Sequence, residues 1–277
     1  MDVKSVSMLS VTAVVVLILS VLCQTVFSKP ASTKVSRLSK YVKICKINDP
    51  QFDPCVNNAM KDIFKYAKTG IPEANIPIME PFKIPEIDLS IFQALSPQIL
   101  GSRQNADKFR AFARNVIIHH ASELKINRIK TDMKEKKFNL NLNLPFLDIV
   151  GEYDVNLILF GLPIKSIGPL KSNVTDTNVE CTLKGQLVTR KSDKYLLFDN
   201  IDIKVDFKDY NIIIENIFKK DQNLNRALND MIKSQKMELK KLVMPMVEEI
   251  AGKMLLTMLN QIIGSLPYTE WFIVDED

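Results

Sequence analysis

Hydrophobic and polar residues follow two different periods along this chain, and each period predicts a different kind of element. Apolar residues recur at helical spacing over 53–67, and Gly70 ends that helix. Asp53 and Pro54 are residue types that begin helices, so we expect the helix to start with them. Residues 109–218 instead alternate between apolar and polar, as in KFNLNLNL and DNIDIKVDF. This alternation predicts an antiparallel sheet with one apolar and one solvated face.

The segment that connects these two regions, 71–89, is rich in proline. It contains Pro72, Pro77, Pro81 and Pro85. Proline lacks a backbone N–H, so it is excluded from helix interiors and from central strands. We therefore expect this segment to run extended along the surface of the protein.

The helical period returns over 221–264 and predicts one helix of about 40 residues. Its apolar stripe consists of Leu228, Ile232, Leu239, Val243, Met246, Ile250 and Met254. We expect Pro245 to kink this helix. A helix of this length needs a long apolar partner, and the preceding sheet is the only candidate. The pattern thus predicts an α+β protein whose sheet wraps along one long helix.

The N-terminus has the three-part pattern of a secretory signal peptide over residues 1–28. A polar start with Lys4 precedes an apolar run, and Ser28 lies where signal peptidase would cut. The run, at about 12 residues, is shorter than the roughly 20 that a membrane span needs, and an uncleaved signal-anchor is the alternative. We expect residues 29–277 to form a single secreted domain, with no later segment that spans a bilayer.

Composition and charge exclude several classes of function. The net charge is +5, and its lysines are interleaved with acids, which indicates solvated faces rather than a nucleic-acid surface. The only histidines, His119 and His120, are adjacent, and no cluster supplies the three or four ligands of a zinc site. No nucleophile elbow, P-loop or dinucleotide fingerprint occurs. The sequence predicts no enzyme, no metal and no cofactor.

The four cysteines suggest one disulfide. Cys23 leaves with the signal peptide, and Cys45 and Cys55 flank a turn-rich loop, so they are the natural pair in an oxidising compartment. Their spacing is too wide for a redox motif, and a metal site would need further ligands. Cys181 is then a free thiol, either buried or linked to another molecule. Asn173 begins a glycosylation sequon, for which we expect a surface loop.

The order of short motifs along the chain resembles the takeout / juvenile hormone binding protein family of insects. The motifs are YVKICKINDPQFDPC, GIPE, EPFKIP, LPFLDIVGEYDVNLILFGLPIKSIGPL, YLLFDNIDIKVDF and LPYTEWF. The resemblance covers 38–272 and implies that a strongly curved antiparallel sheet wraps the long C-terminal helix, with an elongated apolar tunnel between them. With one disulfide, the chain resembles takeout more than the hormone carriers that have two.

The resemblance implies a secreted carrier without catalytic activity. Its ligand would be a small hydrophobic molecule, such as a terpenoid, a fatty-acid-like molecule or a similar lipid. The carrier would act in haemolymph or sensory fluid and serve hormone, feeding or chemosensory physiology. We expect a monomer that passes its ligand to a receptor of unknown identity. The alternative is an extracellular protein of similar architecture that binds lipid or membrane surfaces through exposed lysines.

The candidate lining of the tunnel is the inward face of the sheet and helix. It comprises Phe138, Leu140, Leu142, Val155, Leu157, Leu159, Ile203, Val205, Phe207, Met246 and Met254. Tyr153 and Tyr195 are the candidates for orienting the ligand by hydrogen bonds. Alternation identifies a face but leaves open which of these residues are packed core and which are cavity wall.

Overall fold

The computed structural model describes residues 36–94, 109–159 and 162–274, and its largest feature is one antiparallel sheet. The strands are β1 (Cys45–Lys46), β2 (Phe82–Asp88), β3 (Arg110–His119), β4 (Lys125–Asp132), β5 (Lys137–Leu159), β6 (Leu162–Arg190), β7 (Asp193–Ile214) and β8 (Phe272–Ile273). The helices are α1 (Phe52–Phe64), α2 (Gln222–Ser234), α3 (Lys236–Ile263) and α4 (Tyr268–Trp271). The signal-peptide prediction falls outside these described residues.

The large sheet is curved and open, with the strand order β2-β3-β5-β6-β7 and with β4 paired to β5. Its three longest strands, β5, β6 and β7, are neighbours that pair along most of their lengths, and β7 is an edge strand. The proline-rich segment ends in β2, an edge strand that contains Pro85. This position confirms the extended prediction for the second half of the segment, because an edge strand tolerates a residue that cannot donate to the ladder. The prediction is wrong for the first half, because Pro72–Ala74 forms a 3-10 helix and Ile71, Ala74 and Ile76 are buried in a core cluster.

The C-terminal helical region is interrupted, so the prediction of one helix over 221–264 is wrong at one point. Gln235 separates α2 from α3, with a ψ of 25°. The Ser234 hydroxyl donates to the Met231 carbonyl, which also accepts from the Gln235 N–H. A serine that bonds back to its own helix in this way competes with regular helical bonding. The 28-residue helix α3 contains Pro245 in its interior.

The start of α1 also differs from the prediction. The helix begins at Phe52, and Asp53 lies in its first turn instead of capping it. The Asp53 carboxylate accepts from the backbone N–H of Thr131 at 3.1 Å and from its hydroxyl at 2.5 Å. Asp53 therefore joins α1 to β4. The helix also ends earlier than predicted, at Phe64, and turns over 65–69 lead to Gly70, whose φ is +68°.

Buried apolar residues gather at opposite ends of the three long strands. The α4-end cluster contains Phe138, Cys181, Leu183, Leu196, Phe198 and Tyr268. The α2-end cluster contains Ala111, Tyr153, Val155, Ile164, Ile217 and Leu228. A third cluster joins the first described residues to the segment that follows α1 and to the chain just after α3. It contains Leu38, Val42, Ile71, Ala74, Ile76 and Leu266. The protein is thus closely packed at both ends of its long strands.

The cysteines have the predicted arrangement. Cys45 and Cys55 form a disulfide with an S–S distance of 2.05 Å, and Cys181 is free and buried. The disulfide joins β1 to α1, and β1 pairs in parallel with β8 near the C-terminus. Within 36–94, 109–159 and 162–274, no helix is both long and apolar enough to cross a membrane.

Candidate functional site

A central section separates the two clusters at the ends of the long strands. It is formed by 142–150 of β5, 172–177 of β6, 203–212 of β7 and 239–254 of α3. None of these residues belongs to a packed cluster or lies against one. Its apolar side chains are only partly buried, apart from buried Tyr210 and exposed Pro245. The middle of the protein therefore has apolar surface that the described residues cover only in part.

Helix α3 has a polar face toward solvent and an apolar face toward the sheet. Its exposed residues recur every three or four positions and are mostly polar: Met237, Glu238, Lys241, Pro245, Glu249, Lys253, Thr257 and Gln261. Most of the apolar run LVMPMV at 242–247 is only partly buried, and Gly252 is the one buried residue of the 28 in α3. The described residues therefore cover the apolar face of α3 only in part.

The sheet faces this helix with rows of directly paired residues. Residues that pair directly across neighbouring antiparallel strands place their side chains on the same face. Three successive rows are Leu140–Cys181–Ile203, Leu142–Val179–Val205 and Leu144–Thr177–Phe207. The first row adjoins the α4-end cluster, and the next two lead into the central section. The rows make an apolar face with a single hydroxyl, that of Thr177.

The structure divides the candidate lining into two groups. Members or neighbours of the end clusters are Phe138, Leu140, Tyr153, Val155 and Leu157. Partly buried residues outside the clusters are Leu142, Ile203, Val205, Phe207, Met246 and Met254. The side chain of Leu159 lies outside what the structure describes. The second group gives the better candidates for a cavity wall.

Neither candidate tyrosine lies in the central section. The Tyr153 hydroxyl donates to the Glu215 carbonyl at 2.6 Å, and its ring belongs to the α2-end cluster. Tyr195 lies near the turn between β6 and β7, where the Arg190 guanidinium is 5.1 Å from its ring centroid. The Tyr153 hydroxyl already bonds the protein, and Tyr195 lies at the end of the sheet. Both stay predictions as ligand contacts.

Helix α3 is fixed to the sheet through polar side chains that bond the backbone of β7. The Asn260 amide accepts from the Phe198 N–H and donates to the Phe198 carbonyl, both at 2.8 Å. The Glu248 carboxylate accepts from the Val205 N–H at 3.1 Å. In α2, the amide of Asn229 bonds both backbone groups of Ile214 at 3.0 Å. These bonds position the helices along the edge strand.

A close approach at Gly252 completes this seam between α3 and β7. A Cβ atom at this position would lie 3.2 Å from the Ile203 side chain, so only glycine fits without a shift. Beside it lies a shallow surface pocket of about 270 Å³, lined by Ile201, Asp202, Ile203, Glu248, Glu249, Gly252, Lys253 and Leu256. Acidic and basic side chains line this pocket, whereas the rows of the central section are apolar, so the pocket is distinct from the proposed wall.

The apolar rows contain one titratable group, the Cys181 thiol, and its surroundings keep it protonated at neutral pH. Burial, with a smaller contribution from the charge of Asp202, raises the pKa of the Cys181 thiol to about 11. A thiol with so high a pKa is a poor nucleophile and a poor metal ligand at neutral pH. At the edge of the section, a hydrogen bond from Lys240 lowers the pKa of Asp206. The arrangement favours binding of an uncharged apolar molecule.

The remaining candidate residues lie away from this site. His119 lies 3.8 Å from the Glu80 carboxylate, and His120 contacts Glu123 at 2.7 Å. Among the described residues no group of three or more His, Cys, Asp or Glu is placed to hold a metal ion. The expectation of a loop at Asn173 is wrong, because it lies inside β6, paired with strands on both sides. Glycosylation of Asn173 stays a prediction.

Thr177 is the residue of the site that the sequence analysis missed. Its neighbours in β6, Val179, Cys181 and Leu183, alternate with polar residues and face the helix. Extending that alternation back by two residues places Thr177 on the same face. The alternation therefore indicated its face, but a threonine within a polar stretch such as SNVTDTN looks like a solvated residue in the sequence.

Three comparisons with known proteins agree with this fold. A sequence model described as "Haemolymph juvenile hormone binding protein (JHBP)" matches residues 16–273. The circadian clock-controlled protein daywake of Drosophila melanogaster is 23% identical over 238 residues, covering 83% of this chain and 86% of that protein. Daywake of Drosophila yakuba gives the same values. The crystal structure of Epiphyas postvittana Takeout 1 matches with a TM-score of 0.63 and 16% identity, over 85% of this chain and 100% of that one.

Proposed function

Because the chain belongs to the haemolymph juvenile hormone binding protein family, we propose that it is a secreted carrier of a small hydrophobic ligand. The ligand would be a terpenoid, a fatty-acid-like molecule or a similar lipid. It would lie in an elongated apolar tunnel between α3 and the curved sheet. The observation that carries the proposal is the central section, where partly buried apolar side chains lie between two packed clusters.

The driving force would be the removal of apolar surface from water. Each Å² of apolar surface that is buried contributes about 25 cal/mol, so a ligand of modest size gains several kcal/mol before the entropy of binding is subtracted. The apolar rows of the sheet and the apolar face of α3 supply the wall. The ligand would cover the apolar surface of the sheet and of α3 that the described residues leave only partly buried.

The rest of the proposal follows from the N-terminus and from the family. The signal-like residues 1–28 and the disulfide both suit an extracellular carrier in haemolymph or sensory fluid. We propose that the protein carries its ligand without catalysing a reaction. We propose a monomer that serves hormone, feeding or chemosensory physiology through a receptor, and that its mature domain is 29–277.

The proposal is tested with delipidated protein and a naphthylamine dye that fluoresces in apolar surroundings. We expect saturable binding at one site per chain. Leu142→Trp, which fills the central section, should weaken dye binding at least tenfold. Asn178→Trp is the matched control, because Asn178 is exposed and lies on the opposite face of β6 from Val179, the partner of Leu142.

Equal dye binding by both variants would contradict a site in the central section. Absence of saturable binding to the unaltered protein would contradict the carrier function itself. Binding to anionic vesicles at physiological salt, without dye binding, would support the alternative of a lipid-surface protein. The carrier proposal also makes a second prediction. Native mass spectrometry of the protein from its source should find a bound apolar molecule, which organic extraction removes.

A further inference from the structure

The Thr177 hydroxyl is a buried polar group without a partner. Thr177 is 6% exposed, and its Oγ1 makes no hydrogen bond within the described protein. A buried hydroxyl that has lost its water without gaining a partner destabilises a protein by about 1–3 kcal/mol. Native structures retain few such groups, and each one calls for an explanation.

Other threonines of the sheet do have partners. The Thr175 hydroxyl donates to the Asp209 carbonyl at 3.3 Å, and the Thr182 hydroxyl donates to Asn139 at 3.0 Å. The Thr131 hydroxyl donates to Asp53. An unpartnered hydroxyl is therefore not a general feature of threonine in this sheet. Thr175 and Thr182 each have a polar neighbour across the sheet, and Thr131 is reached by Asp53 of α1. Both neighbours of Thr177 across the sheet are apolar.

The position of Thr177 connects it with the proposed ligand site. It pairs directly with Leu144 on one side and with Phe207 on the other, so the three side chains share one face. Leu144 and Phe207 are partly buried and belong to the central section. A ligand that lies between this face and α3 would pass over the hydroxyl.

A second unpartnered hydroxyl, that of Tyr268, lacks such a connection. It lies within the packed α4-end cluster, where its ring centroid is 5.1 Å from that of Phe272. This cluster is at the end of the long strands, outside the central section. Thr177 alone of the two combines an unpartnered hydroxyl with a place in the central section.

We propose that Thr177 donates a hydrogen bond to an oxygen atom of the ligand and so selects long apolar molecules that carry an acceptor oxygen part-way along the chain. This inference rests on the proposed carrier function and names the class of ligand. A hydrocarbon would leave the hydroxyl unpaired, whereas a ketone carbonyl in the middle of a chain would pair with it. Sites built around a buried polar group discriminate in this way against analogues that lack its partner.

The test compares diheptyl ketone with pentadecane, which has the same number of carbon atoms. Each competes with the naphthylamine dye for the delipidated protein. In the unaltered protein the ketone should bind about tenfold more tightly than the alkane, as expected for one recovered hydrogen bond. Thr177→Val, which keeps the shape and removes the hydroxyl, should abolish this preference and leave the affinity for pentadecane within about twofold.

Two further variants make the result specific. Thr177→Ser keeps a hydroxyl and should keep the preference for the ketone. Thr182→Val removes a hydroxyl that is already paired, on the opposite face of the same strand and outside the central section, and should leave the preference unchanged. A further readout is thermal unfolding, in which Thr177→Val should raise the midpoint of the ligand-free protein by removing the unpaired group.

The possible failures are distinct. If pentadecane displaces the dye but Thr177→Val leaves the ratio of the two affinities unchanged, the role of Thr177 is wrong and the carrier function stands. An equal loss of preference in Thr182→Val would likewise overturn it. If the dye itself does not bind to the unaltered protein, the proposed function fails and this inference fails with it.

Discussion

At the scale of single residues, the Cys181 thiol shows how surroundings set chemistry. It lies in the α4-end cluster, where burial and then Asp202 raise its pKa to about 11. Since only the thiolate reacts, we expect no reaction with a thiol reagent such as Ellman's in the native protein at neutral pH. One equivalent should react once the protein is unfolded without reduction. Rapid reaction of the native protein, or a dimer linked through Cys181, would contradict this prediction.

Glu270 is a second residue whose surroundings lead to a prediction. It is 4% exposed, and it accepts from the Arg37 N–H at 2.6 Å and the Arg37 guanidinium at 3.2 Å. Burial acts to raise its pKa, but the bonds from Arg37 outweigh burial and lower the pKa below 4.5. A carboxyl whose folded pKa is lowered stabilises the fold above its unfolded pKa, and this contribution is lost as pH falls through the folded value.

We therefore expect Glu270→Gln to reduce the free energy of unfolding by about 1–3 kcal/mol at neutral pH. The difference from the unaltered protein should shrink as pH falls below about 4. Urea unfolding at several pH values measures both effects. Glu238→Gln, at an exposed position in α3, is the control and should change stability by less than about 0.5 kcal/mol. A difference between Glu270→Gln and the unaltered protein that does not depend on pH would rule out this role.

At the scale of elements, the seam between α3 and β7 depends on a few side chains of α3 that hydrogen-bond the backbone groups of β7, as a neighbouring strand would. Asn260 satisfies both the N–H and the carbonyl of Phe198. Asn260→Ala should leave both groups unpaired and destabilise the protein by about 2–4 kcal/mol. Gln261→Ala, at the next and exposed position, should have little effect. The measurement is urea unfolding, and a similar loss for both variants would show that the pairing contributes nothing.

The elements also show what their sequence can predict. The alternation in β5 and β7 identified both strands, because the side-chain period of a strand is a local property. The break at Gln235 was missed, because neither Gly nor Pro marks it. It depends on Ser234 and on β7, where the Tyr210 hydroxyl donates to the Lys236 carbonyl. Bonds between distant parts of the chain leave no local pattern to read.

At the scale of the whole molecule, the fold was predictable and the site only in part. The order of motifs led to a curved sheet with a C-terminal helix, and the structure has both. The predicted lining mixed packed residues such as Phe138 with partly buried residues such as Val205. Alternation tells which face a side chain takes, but its packing depends on how far the helix lies from each part of the sheet. Thr177 was missed for a related reason, since only burial distinguishes it from a solvated threonine.

The polar contacts along β7 have a consequence for the protein in solution. An uncovered strand edge can pair with the edge of another molecule and begin a fibril. In this sheet β2 carries Pro85, β4 is met by Asp53 of α1, and β7 is met by Asn229, Glu248 and Asn260. Each of these three edges is therefore interrupted or covered at the contacts named. These contacts shorten the ladder that a neighbouring molecule could extend, and so they oppose edge-to-edge association when the protein is concentrated.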